Sequence, residues 1–464
     1  MKKIIHLLIA FHLTLITASA QYQTLHNFDT ADGRYMQCKP VLSGKTLYGM
    51  TPRGGTVDSG FIFSVDTTGN NYKVLFNFGG ANGSYPCGSL TLAGGRLYGT
   101  TNYGAHSNQG VIFSMDTNGT GYKILLYNFS SGANNAIQDL TILGNKMYGT
   151  TYEGGTNGEG VLYTMDTNGA NYRVLYNFDP SNAGGIPQGA LVLSGSTLFG
   201  IAYLWNLTYG GCVFAIDTSG NTYRQLYKFN TVNTQFYSPL CLVGKTLYGT
   251  ALIGGASDSG YVYSIDTNGT NYKDLLDFNG PNGSEPYSGA LLSDGSKLYG
   301  TTSGGGGSAY GGTVFSVDTN GTEFNYFGFN TAGEGLYPLN GLVKVGGTVF
   351  GTTYLGGTKN EGTIFKLGLS QALSVNTLTA NTSSAYVYPN PSNGVFTFQS
   401  SVVSHKPSVL EVYNMLGEKV YSKQLTTDNS QFIIDLSNNT SGIYLYRISS
   451  EDGTLNTTGK LIIE

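Results

Sequence analysis

The sequence contains few charged residues. They make up 11% of its 464 residues, against roughly 25% in ordinary globular proteins. The formal net charge is −4, and lysine and arginine do not cluster anywhere along the chain. Because basic patches are what attract nucleic acid and anionic membranes, we expect neither to be a partner.

Cysteine and histidine are also scarce. The four cysteines are Cys38, Cys87, Cys212 and Cys241. Their spacing does not resemble a zinc site, so we expect no metal and no other cofactor. In an exported chain four thiols allow three pairings, and one or two disulfide bridges are favoured over four free thiols. Beyond the N-terminal segment the histidines are His26, His106 and His405.

Long apolar runs are absent after the N-terminus, so the sequence predicts no membrane-spanning helix. At the N-terminus two lysines precede an apolar run over residues 4–16, and small residues follow up to Ala20. This pattern predicts a secretory signal peptide over residues 1–20, cleaved between Ala20 and Gln21. We therefore expect the mature chain to be secreted or to lie on the outer-membrane surface.

Glycine and aromatic residues are abundant. The chain has 68 Gly, 35 Tyr and 23 Phe, and hydrophobic residues reach 40%. That proportion can bury a core, which argues against disorder. Together with the low charge, the composition is typical of many short strands joined by tight turns.

Three short phrases recur with a period of about fifty residues. The aromatic of "LYG" stands at Tyr48, Tyr98, Tyr148, Phe199, Tyr248, Tyr299 and Phe350. The phrase "VIFSVD" begins near Phe61, Val111, Val161, Val213, Val262, Val314 and Ile364. The phrase "YKVLFNF" ends at Phe28, Phe78, Phe129, Phe178, Phe229, Phe278 and Phe329. Each phrase occurs seven times. The copies of "YKVLFNF" are displaced by one repeat, because the first copy, "YQTLHNF", opens the chain and no copy follows the last "VIFSVD" phrase.

Each repeat reads as four short antiparallel β-runs, which predicts the blade of a β-propeller. A parallel β-solenoid fits less well, because its coils are shorter and simpler. If residues 22–28 supply the missing fourth strand of the last copy, the count closes at seven complete blades with no bare sheet edge. We therefore predict an all-β chain with a seven-bladed propeller over residues 21–368, closed by the N-terminal strand.

The aspartate of the repeated "DTNG" turn could suggest calcium. Each copy offers a single carboxylate, whereas a calcium loop needs several oxygen ligands in alternation. We therefore interpret these aspartates as acceptors for the amides of the turn. The "LYG" aromatics are also given a structural interpretation: we expect them to be core residues between blades.

The predicted strand directions place the two tight hairpins of each blade on one face and the two longer loops on the other. The longer loops carry exposed aromatics that could bind carbohydrate or protein. The segments between blades hold Tyr35, Tyr85, Tyr237, Tyr287 and Tyr337. The loops from the second to the third strand hold Tyr103, Tyr152, Tyr203, Trp205, Tyr310 and Tyr354. The alternative is that these rings only wedge loops against neighbouring blades.

Two further functions stay open. Loop acids could supply a carboxylate pair for a glycan-active enzyme, a hydrolase or a lyase. The candidates are Glu153, Glu159, Asp179, Glu285 and Glu334, and their spacing favours no pair. No nucleophile elbow or phosphate-binding loop is present, so the sequence predicts no catalytic residue. The third possibility is a structural or adhesive surface protein without a discrete site.

After a polar linker over residues 369–385, a separate β-sandwich of about eighty residues is predicted over 386–464, with strands near Phe396, 409–413, 432–436 and 443–448. Its phrases "YPNPSNGVFTF", "LEVYNMLGEKVYS", "DLSNNTSGIYLYRI" and "GKLIIE" resemble the C-terminal sorting domain of type IX secretion cargo in Bacteroidetes. The resemblance implies transport across the outer membrane and the secretion machinery as a partner. It also implies that recognition involves Pro389, Asn390, Pro391, Gly417 and Lys460.

The repeats themselves, with the pattern "LYGTT…GG…G.VFS.DT.G..Y..L..F", resemble the GloVer tandem repeats of secreted bacterial proteins. The resemblance covers about residues 22–367. It implies the repeat architecture and export, and it implies no substrate.

Overall fold

A computed structural model describes residues 22–105, 109–126, 139–179, 185–203, 210–229, 235–307, 310–369, 385–388, 390–400, 408–414, 418–425, 431–450 and 456–464. The chain divides into two compact units, Met1–Ser374 and Val375–Glu464. Regular structure in the described residues is almost entirely β-strand, so the all-β prediction is confirmed. The predicted signal peptide and its cleavage site at Ala20 and Gln21 lie outside the described residues.

The first unit builds one antiparallel sheet from each repeat, and we number these repeat sheets 1 to 7 in chain order. Repeat sheets 1 to 3 comprise β2 (Val41–Ser43), β3 (Thr46–Thr51), β4 (Phe61–Asp66), β5 (Lys73–Asn77); β6 (Ser84–Pro86), β7 (Thr91–Ala93), β8 (Arg96–Tyr103), β9 (Ile112–Asp116), β10 (Lys123–Leu126); and β11 (Thr141–Leu143), β12 (Lys146–Thr150), β13 (Val161–Asp166), β14 (Arg173–Asn177).

The next three sheets follow the same order. Repeat sheets 4 to 6 comprise β15 (Pro187–Ser194), β16 (Thr197–Ala202), β17 (Gly211–Asp217), β18 (Arg224–Phe229); β19 (Cys241–Val243), β20 (Thr246–Ala251), β21 (Tyr261–Asp266), β22 (Lys273–Asp277); and β23 (Leu292–Ser293), β24 (Lys297–Thr302), β25 (Thr313–Asp318), β26 (Phe324–Gly328). A short 3-10 helix over Ala332–Glu334 follows β26. Repeat sheet 7 comprises β1 (Tyr22–Asn27), β27 (Val343–Val345), β28 (Thr348–Thr353) and β29 (Thr363–Gly368).

The two middle strands of each sheet are buried on both faces. In β4, for example, Phe61, Ile62, Phe63 and Val65 are all fully buried. This explains why the second and third β-runs of the sequence are nearly continuous in apolar residues rather than alternating. The "LYG" aromatics are buried as predicted, from Tyr48 at 8% exposure to Phe199 at 3%.

The glycine of "LYG" has a packing role that the sequence pattern does not reveal by itself. Gly49 pairs with Phe63 on the neighbouring strand, and a Cβ at Gly49 would overlap the Phe63 ring. The equivalent Gly99 stands in the same relation to Phe113. A side chain larger than hydrogen would displace the aromatic ring that fills the core, so the repeat requires glycine there.

The N-terminal strand β1 pairs antiparallel with β29, from Tyr22 opposite Leu367 to Asn27 opposite Thr363. As predicted, the N-terminal strand is therefore paired as the fourth strand of the last repeat. The Tyr22 ring lies 5.4 Å from the Phe327 ring and 5.8 Å from the Phe365 ring. Burial raises the pKa of the Tyr22 hydroxyl to about 12.

Aromatic stacking between neighbouring sheets repeats along the first unit. Tyr122 of repeat sheet 2 stacks on Phe76 with ring centroids 3.9 Å apart, and Tyr272 stacks on Tyr227 at 4.2 Å. Tyr72 stacks in the same way on His26 of β1, at 3.8 Å. His26 therefore takes the place in repeat sheet 7 that Phe76 takes in repeat sheet 1.

Asp66 and Asp217 accept the backbone amides of their own hairpin turns, which read "DTTG" and "DTSG". In the "DTNG" turns the asparagine accepts a turn amide instead, as Asn118 Oδ1 does from Thr120 at 2.9 Å, so the interpretation of the aspartates as amide acceptors holds for Asp66 and Asp217 only.

Asp66 Oδ1 accepts hydrogen bonds from the backbone amides of Thr68 at 2.8 Å and Asn70 at 3.0 Å, and Oδ2 accepts one from the Asn71 side chain. Hydrogen bonds to the charged form, led by the Thr68 hydroxyl, lower the pKa of Asp66 to about 2. These contacts agree with the structural interpretation of the turn.

The turn aspartates predict a defined loss of stability in acid. Because the Asp66 pKa is lower when folded than its unfolded value of about 3.9, its contribution is complete above about pH 4 and is lost as the pH falls towards 2. We expect Asp66→Asn to lower the melting temperature at neutral pH, and the difference from wild type to disappear near pH 2. Thermal scans of both proteins from pH 7 to pH 2 measure this difference, and a difference independent of pH would contradict it.

The second unit is a two-sheet β-sandwich. One sheet contains β30 (Ala385–Tyr388), β31 (Val395–Ser400) and β34 (Gln431–Asp435), and the other contains β32 (Ser408–Asn414), β33 (Lys419–Leu425), β35 (Gly442–Ser450) and β36 (Asn456–Ile463). Side chains from both sheets, such as Phe398 and Tyr446, share one core. The four predicted strands are present, and the structure adds β30, β33 and β36.

In the part of the chain that the structure describes, we find no helix with the length and apolar character needed to span a bilayer.

Candidate functional site

The loops of the first unit separate onto two ends, as the strand directions predict. The tight turns lie at one end, and the segments between repeats meet the loops between second and third strands at the other. Tyr85 N–H, for example, donates to the Ser59 carbonyl at 3.0 Å, joining these two kinds of loop. The site described below lies at this long-loop end.

A pocket of about 620 Å³ opens among the segments between repeats. Five tyrosines line it: Tyr85, Tyr237, Tyr287, Tyr337 and Tyr354. They come from repeat sheets 2, 5, 6 and 7 and from the segments that lead into them. A pocket of this volume falls within the usual size of small-molecule sites.

The loop tyrosines form two groups of neighbouring residues. In the first, Tyr354 stacks on Tyr35 with centroids 5.2 Å apart, and Tyr85 lies 6.0 Å from Tyr103. The backbone of Tyr354 also donates to the Tyr337 carbonyl at 3.0 Å. We call this set, Tyr35, Tyr85, Tyr103, Tyr337 and Tyr354, the first arc.

The second group joins repeats 3 to 6. Tyr237 and Tyr287 have ring centroids 5.4 Å apart. Burial raises the pKa of the Tyr237 hydroxyl, and the neighbouring Tyr287, Tyr203 and Tyr152 add to that increase. We call this set, Tyr152, Tyr203, Tyr237 and Tyr287, the second arc.

Of the eleven loop aromatics named from the sequence, nine therefore belong to one of these two arcs. Five line the pocket directly, and the others contact or electrostatically influence those five. The tenth, Trp205, lies outside the described residues. Tyr310, a further loop aromatic, is 69% exposed and does not line the pocket.

The polar part of the lining was not predicted from the sequence. Amide and hydroxyl side chains line the pocket between the rings: Gln37, Asn102, Gln188, Asn340, Ser89, Ser288 and Ser303. Several of them stand just before the first strand of their repeat, where the residue type changes from copy to copy. These variable residues stand beside phrases that are the same in every repeat, and this contrast was the feature of the sequence that could have indicated a binding site.

Three charged side chains line the pocket, Lys39, Asp139 and Glu285. The backbone amide of Ser89 donates to Asp139 Oδ1. The stem of Lys39 lies against Gly341, and its charge counteracts the effect of burial on the pKa of Cys241. The Lys39 side chain therefore lies close to repeat sheet 5 and to the segment before repeat sheet 7, where Gly341 leaves room for its stem.

The predicted loop acids are mostly not in the pocket. Only Glu285 lines it, with one carboxylate oxygen 3.4 Å from the Ser303 hydroxyl. Glu334 closes the capping box of the short 3-10 helix instead. Glu153 and Glu159 lie near Tyr152 and contribute to its raised pKa, which burial dominates. Asp179 likewise adds to the raised pKa of Tyr176, for which burial is the main cause.

The four cysteines, all of them among the described residues, form no disulfide with one another. Cys38 and Cys212 are buried within the repeat cores, and burial raises the pKa of Cys38 to about 12 and that of Cys212 to about 11. The expectation of one or two disulfide bridges is therefore wrong, because these side chains serve as small apolar residues of the core. The described residues also contain no group of three potential metal ligands.

In the second unit Asn390 holds the last strand. Its side-chain amide donates to the Lys460 carbonyl at 2.6 Å, and its Oδ1 accepts from the Ile462 amide at 2.9 Å. Ser392 continues this contact, since its amide donates to the Ile462 carbonyl at 3.0 Å. Of the other predicted sorting residues, Pro391 lies in this turn, whereas Pro389 and Gly417 fall outside the described residues.

A family model for the Gloeobacter/Verrucomicrobia repeat matches residues 10–144 and 237–401, which is more than half of the chain. The chain belongs to this repeat family. The unmatched stretch between the two matches nevertheless folds into the same four-stranded sheets, since it includes β12 to β18. A model for the secretion system C-terminal sorting domain matches residues 386–464. This type IX sorting domain shows that the protein is secreted or lies on the cell surface.

Among solved structures, the extracellular domain of a one-component system from B. thetaiotaomicron is similar with a TM-score of 0.50 and 12% identity, over 96% of this chain and 59% of that one. PorZ, a surface component of the type IX secretion system of Porphyromonas gingivalis, matches with a TM-score of 0.46 and 10% identity, over 93% and 59%. The chain thus spans about three fifths of the length of both.

The β-propeller domain of the Trilobed protease from Pyrococcus furiosus matches with a TM-score of 0.43 and 11% identity, over 72% of this chain and 95% of that one. No curated protein matches the sequence. At these identities the likeness concerns the fold alone. The antiparallel repeat sheets are themselves propeller-like.

Proposed function

We propose that residues 21–368 form a closed seven-bladed β-propeller, preceded by a signal peptide over residues 1–20 and followed by a linker over 369–385. Two observations support the closure. Strand β1 shows a register shift near His26, as most of the fourth strands do. The side chain of Asn340 also donates to the Met36 carbonyl at 3.3 Å, joining the segments that precede repeat sheets 7 and 1.

N-terminal sequencing of the secreted chain, expected to begin at Gln21, tests the signal peptide.

We further propose that the propeller is a non-catalytic glycan-binding protein displayed outside the cell. The observation that carries this proposal is the pocket, in which five tyrosines alternate with amide and hydroxyl side chains. Sugar rings combine apolar C–H faces with hydroxyl groups, so tyrosine rings and neutral polar side chains recognise both parts. The concave shape favours a saccharide over the broad surface of a protein partner.

One feature of the pocket favours binding over glycoside cleavage. Its carboxylates are Asp139 and Glu285, and one Asp139 oxygen already accepts the Ser89 amide. Glycoside cleavage needs two carboxyl groups flanking one bond, with at least one free to donate a proton. A structural or adhesive role without a discrete site is the outcome if no ligand is found.

An array of neutral hexose, N-acetylhexosamine and uronate oligosaccharides, probed with the mature chain, tests glycan binding. We expect the double variant Tyr237→Ala/Tyr287→Ala to lower the affinity for the bound oligosaccharide by about tenfold or more, because each ring contributes roughly 0.5–1.5 kcal/mol of stacking.

The matched control is Tyr310→Ala, which removes an exposed loop tyrosine outside the pocket lining. This variant should bind as wild type does. The absence of any glycan binding by the wild-type chain, or equal binding by the double variant, would contradict the proposed function.

A further inference from the structure

Three tyrosines of the first arc share a backbone conformation that tyrosine rarely adopts. Tyr35, Tyr85 and Tyr337 have φ angles of +61°, +58° and +57°. For a bulky residue a positive φ is an outlier, because the side chain crowds the backbone, and it persists only where the surrounding structure enforces it.

The three tyrosines stand at equivalent positions of the repeat. Each donates its backbone amide to the carbonyl just before the glycine that precedes the third strand of the preceding sheet. The acceptors for Tyr35, Tyr85 and Tyr337 are the carbonyls of Glu361, Ser59 and Gly311. Glu285 occupies the same position in repeat 6, with φ at +55°, and donates to the Ser259 carbonyl. The repeat architecture thus imposes the left-handed backbone at this position.

Most other left-handed positions of the repeat carry the residues that such a backbone favours. The hairpin turns have Asn71, Asn171 and Asn271, and the long loops have Asp58, Asp258 and Asn360. Asparagine, aspartate and glycine tolerate a positive φ with little strain. If the backbone were the only requirement at positions 35, 85 and 337, these residues would serve better than tyrosine.

The Tyr337 ring adds little to the packing of the fold. It is 38% exposed and makes no ring stacking or side-chain hydrogen bond with other described residues. Both Tyr337 and Tyr85 line the pocket, and Tyr35 stacks on Tyr354, which lines it too. The rings of Tyr35 and Tyr85 also lie 5.6 and 5.5 Å from the Arg34 and Arg53 guanidinium groups. What all three rings share is their place in the pocket lining or beside it, and Tyr337 has no other ring contact among the described residues.

We infer that Tyr35, Tyr85 and Tyr337 are retained to bind the ligand, as a platform on which the sugar rings of an oligosaccharide stack, and that the fold tolerates backbone strain at these positions in return. This inference rests on the proposed function and extends it by naming the binding surface. A ligand stacked along the first arc would contact repeats 7, 1 and 2 in succession, which suits a chain of several sugar units.

The variant Tyr337→Asn tests the inference, because it removes the ring and relaxes the backbone in one change. Thermal unfolding of the mature chain and affinity for the oligosaccharide bound on the array are both measured. We expect the melting temperature to stay equal or to rise by about 2 °C. We expect the affinity to fall by about fivefold to tenfold.

Two controls separate the ring from the backbone. Tyr337→Phe keeps the ring and the strain, so its melting temperature should stay near wild type. Tyr310→Asn relaxes another left-handed tyrosine, at φ +49°, outside the pocket lining, so it should leave the affinity unchanged.

The outcomes are distinct. A clear fall in the melting temperature of Tyr337→Asn would mean that the ring supports the fold, and this would overturn the inference. Unchanged binding by Tyr337→Asn would also overturn it, while loss of binding by Tyr237→Ala/Tyr287→Ala would leave the proposed function standing. A wild-type chain that binds no glycan would overturn both.

Discussion

Deleting residues 22–27 from the full-length chain should lower the melting temperature by about 10 °C or more and make the first unit sensitive to proteases. The deletion removes β1 from repeat sheet 7 and exposes the edge of β29. It also removes the Tyr22 ring from the Phe327, Phe329 and Phe365 rings, and the buried Leu25 side chain. Losing two such side chains costs several kcal/mol before the lost strand pairing is added.

A graded variant and a control accompany this deletion. Phe28 is fully buried, so Phe28→Ala should lower the free energy of unfolding by about 3–5 kcal/mol. Gln23 is exposed on the same strand, and Gln23→Ala should have almost no effect. A deleted chain that unfolds at the wild-type temperature as a monomer would disprove the proposed closure.

Replacing Asn390 with alanine should reduce the amount of protein delivered to the surface or the medium by about tenfold. The Asn390 side chain bridges two backbone groups near the end of β36, the Lys460 carbonyl and the Ile462 amide. Losing both hydrogen bonds leaves these groups without their partner and frees the chain terminus from the turn. We propose that the secretion machinery reads this terminus in its held position. Fractionation of cells and medium with immunoblotting measures the effect.

The variant Asn390→Asp makes this test sharper. A carboxylate in place of the amide would direct an oxygen at the Lys460 carbonyl, so the same loss of delivery is expected although the shape is kept. Asn438→Ala is the matched control, because Asn438 is exposed and makes no side-chain hydrogen bond among the described residues. Normal delivery of both Asn390 variants would exclude a role of this contact in sorting.

The aromatic residues show how far the sequence could predict the site. The loops that carry Tyr85, Tyr237, Tyr287, Tyr337 and Tyr354 were identified from strand direction alone, and these five rings do line one pocket. The sequence could not separate Tyr337 from Tyr310, because both are loop tyrosines next to proline or glycine. Only the path of each loop places the first in the pocket and leaves the second exposed.

The neutral and charged side chains of the pocket show more clearly which site residues the sequence could not predict. Ser89, Asp139 and Lys39 are single-copy residues without a motif, and the sequence analysis assigned none of them to a site. They meet because the segments before the first strands converge, so that the Lys39 amide donates to the Ser89 hydroxyl at 3.0 Å and the Ser89 amide donates to Asp139. The disulfide expectation was wrong for a related reason, since cysteine count and export cannot show that a thiol is enclosed in a core.

The sequence by itself determined the all-β class, the repeat unit and the export tail, because strand alternation, turn chemistry and a fixed period are local properties of neighbouring residues. The tertiary structure alone decided which side chains share the pocket and which tyrosines carry a left-handed backbone. These features depend on contacts between distant parts of the chain, such as Asn340 with Met36 and Tyr22 with Phe365. Local sequence patterns do not predict such contacts, because the contacts form only when the sheets pack against one another.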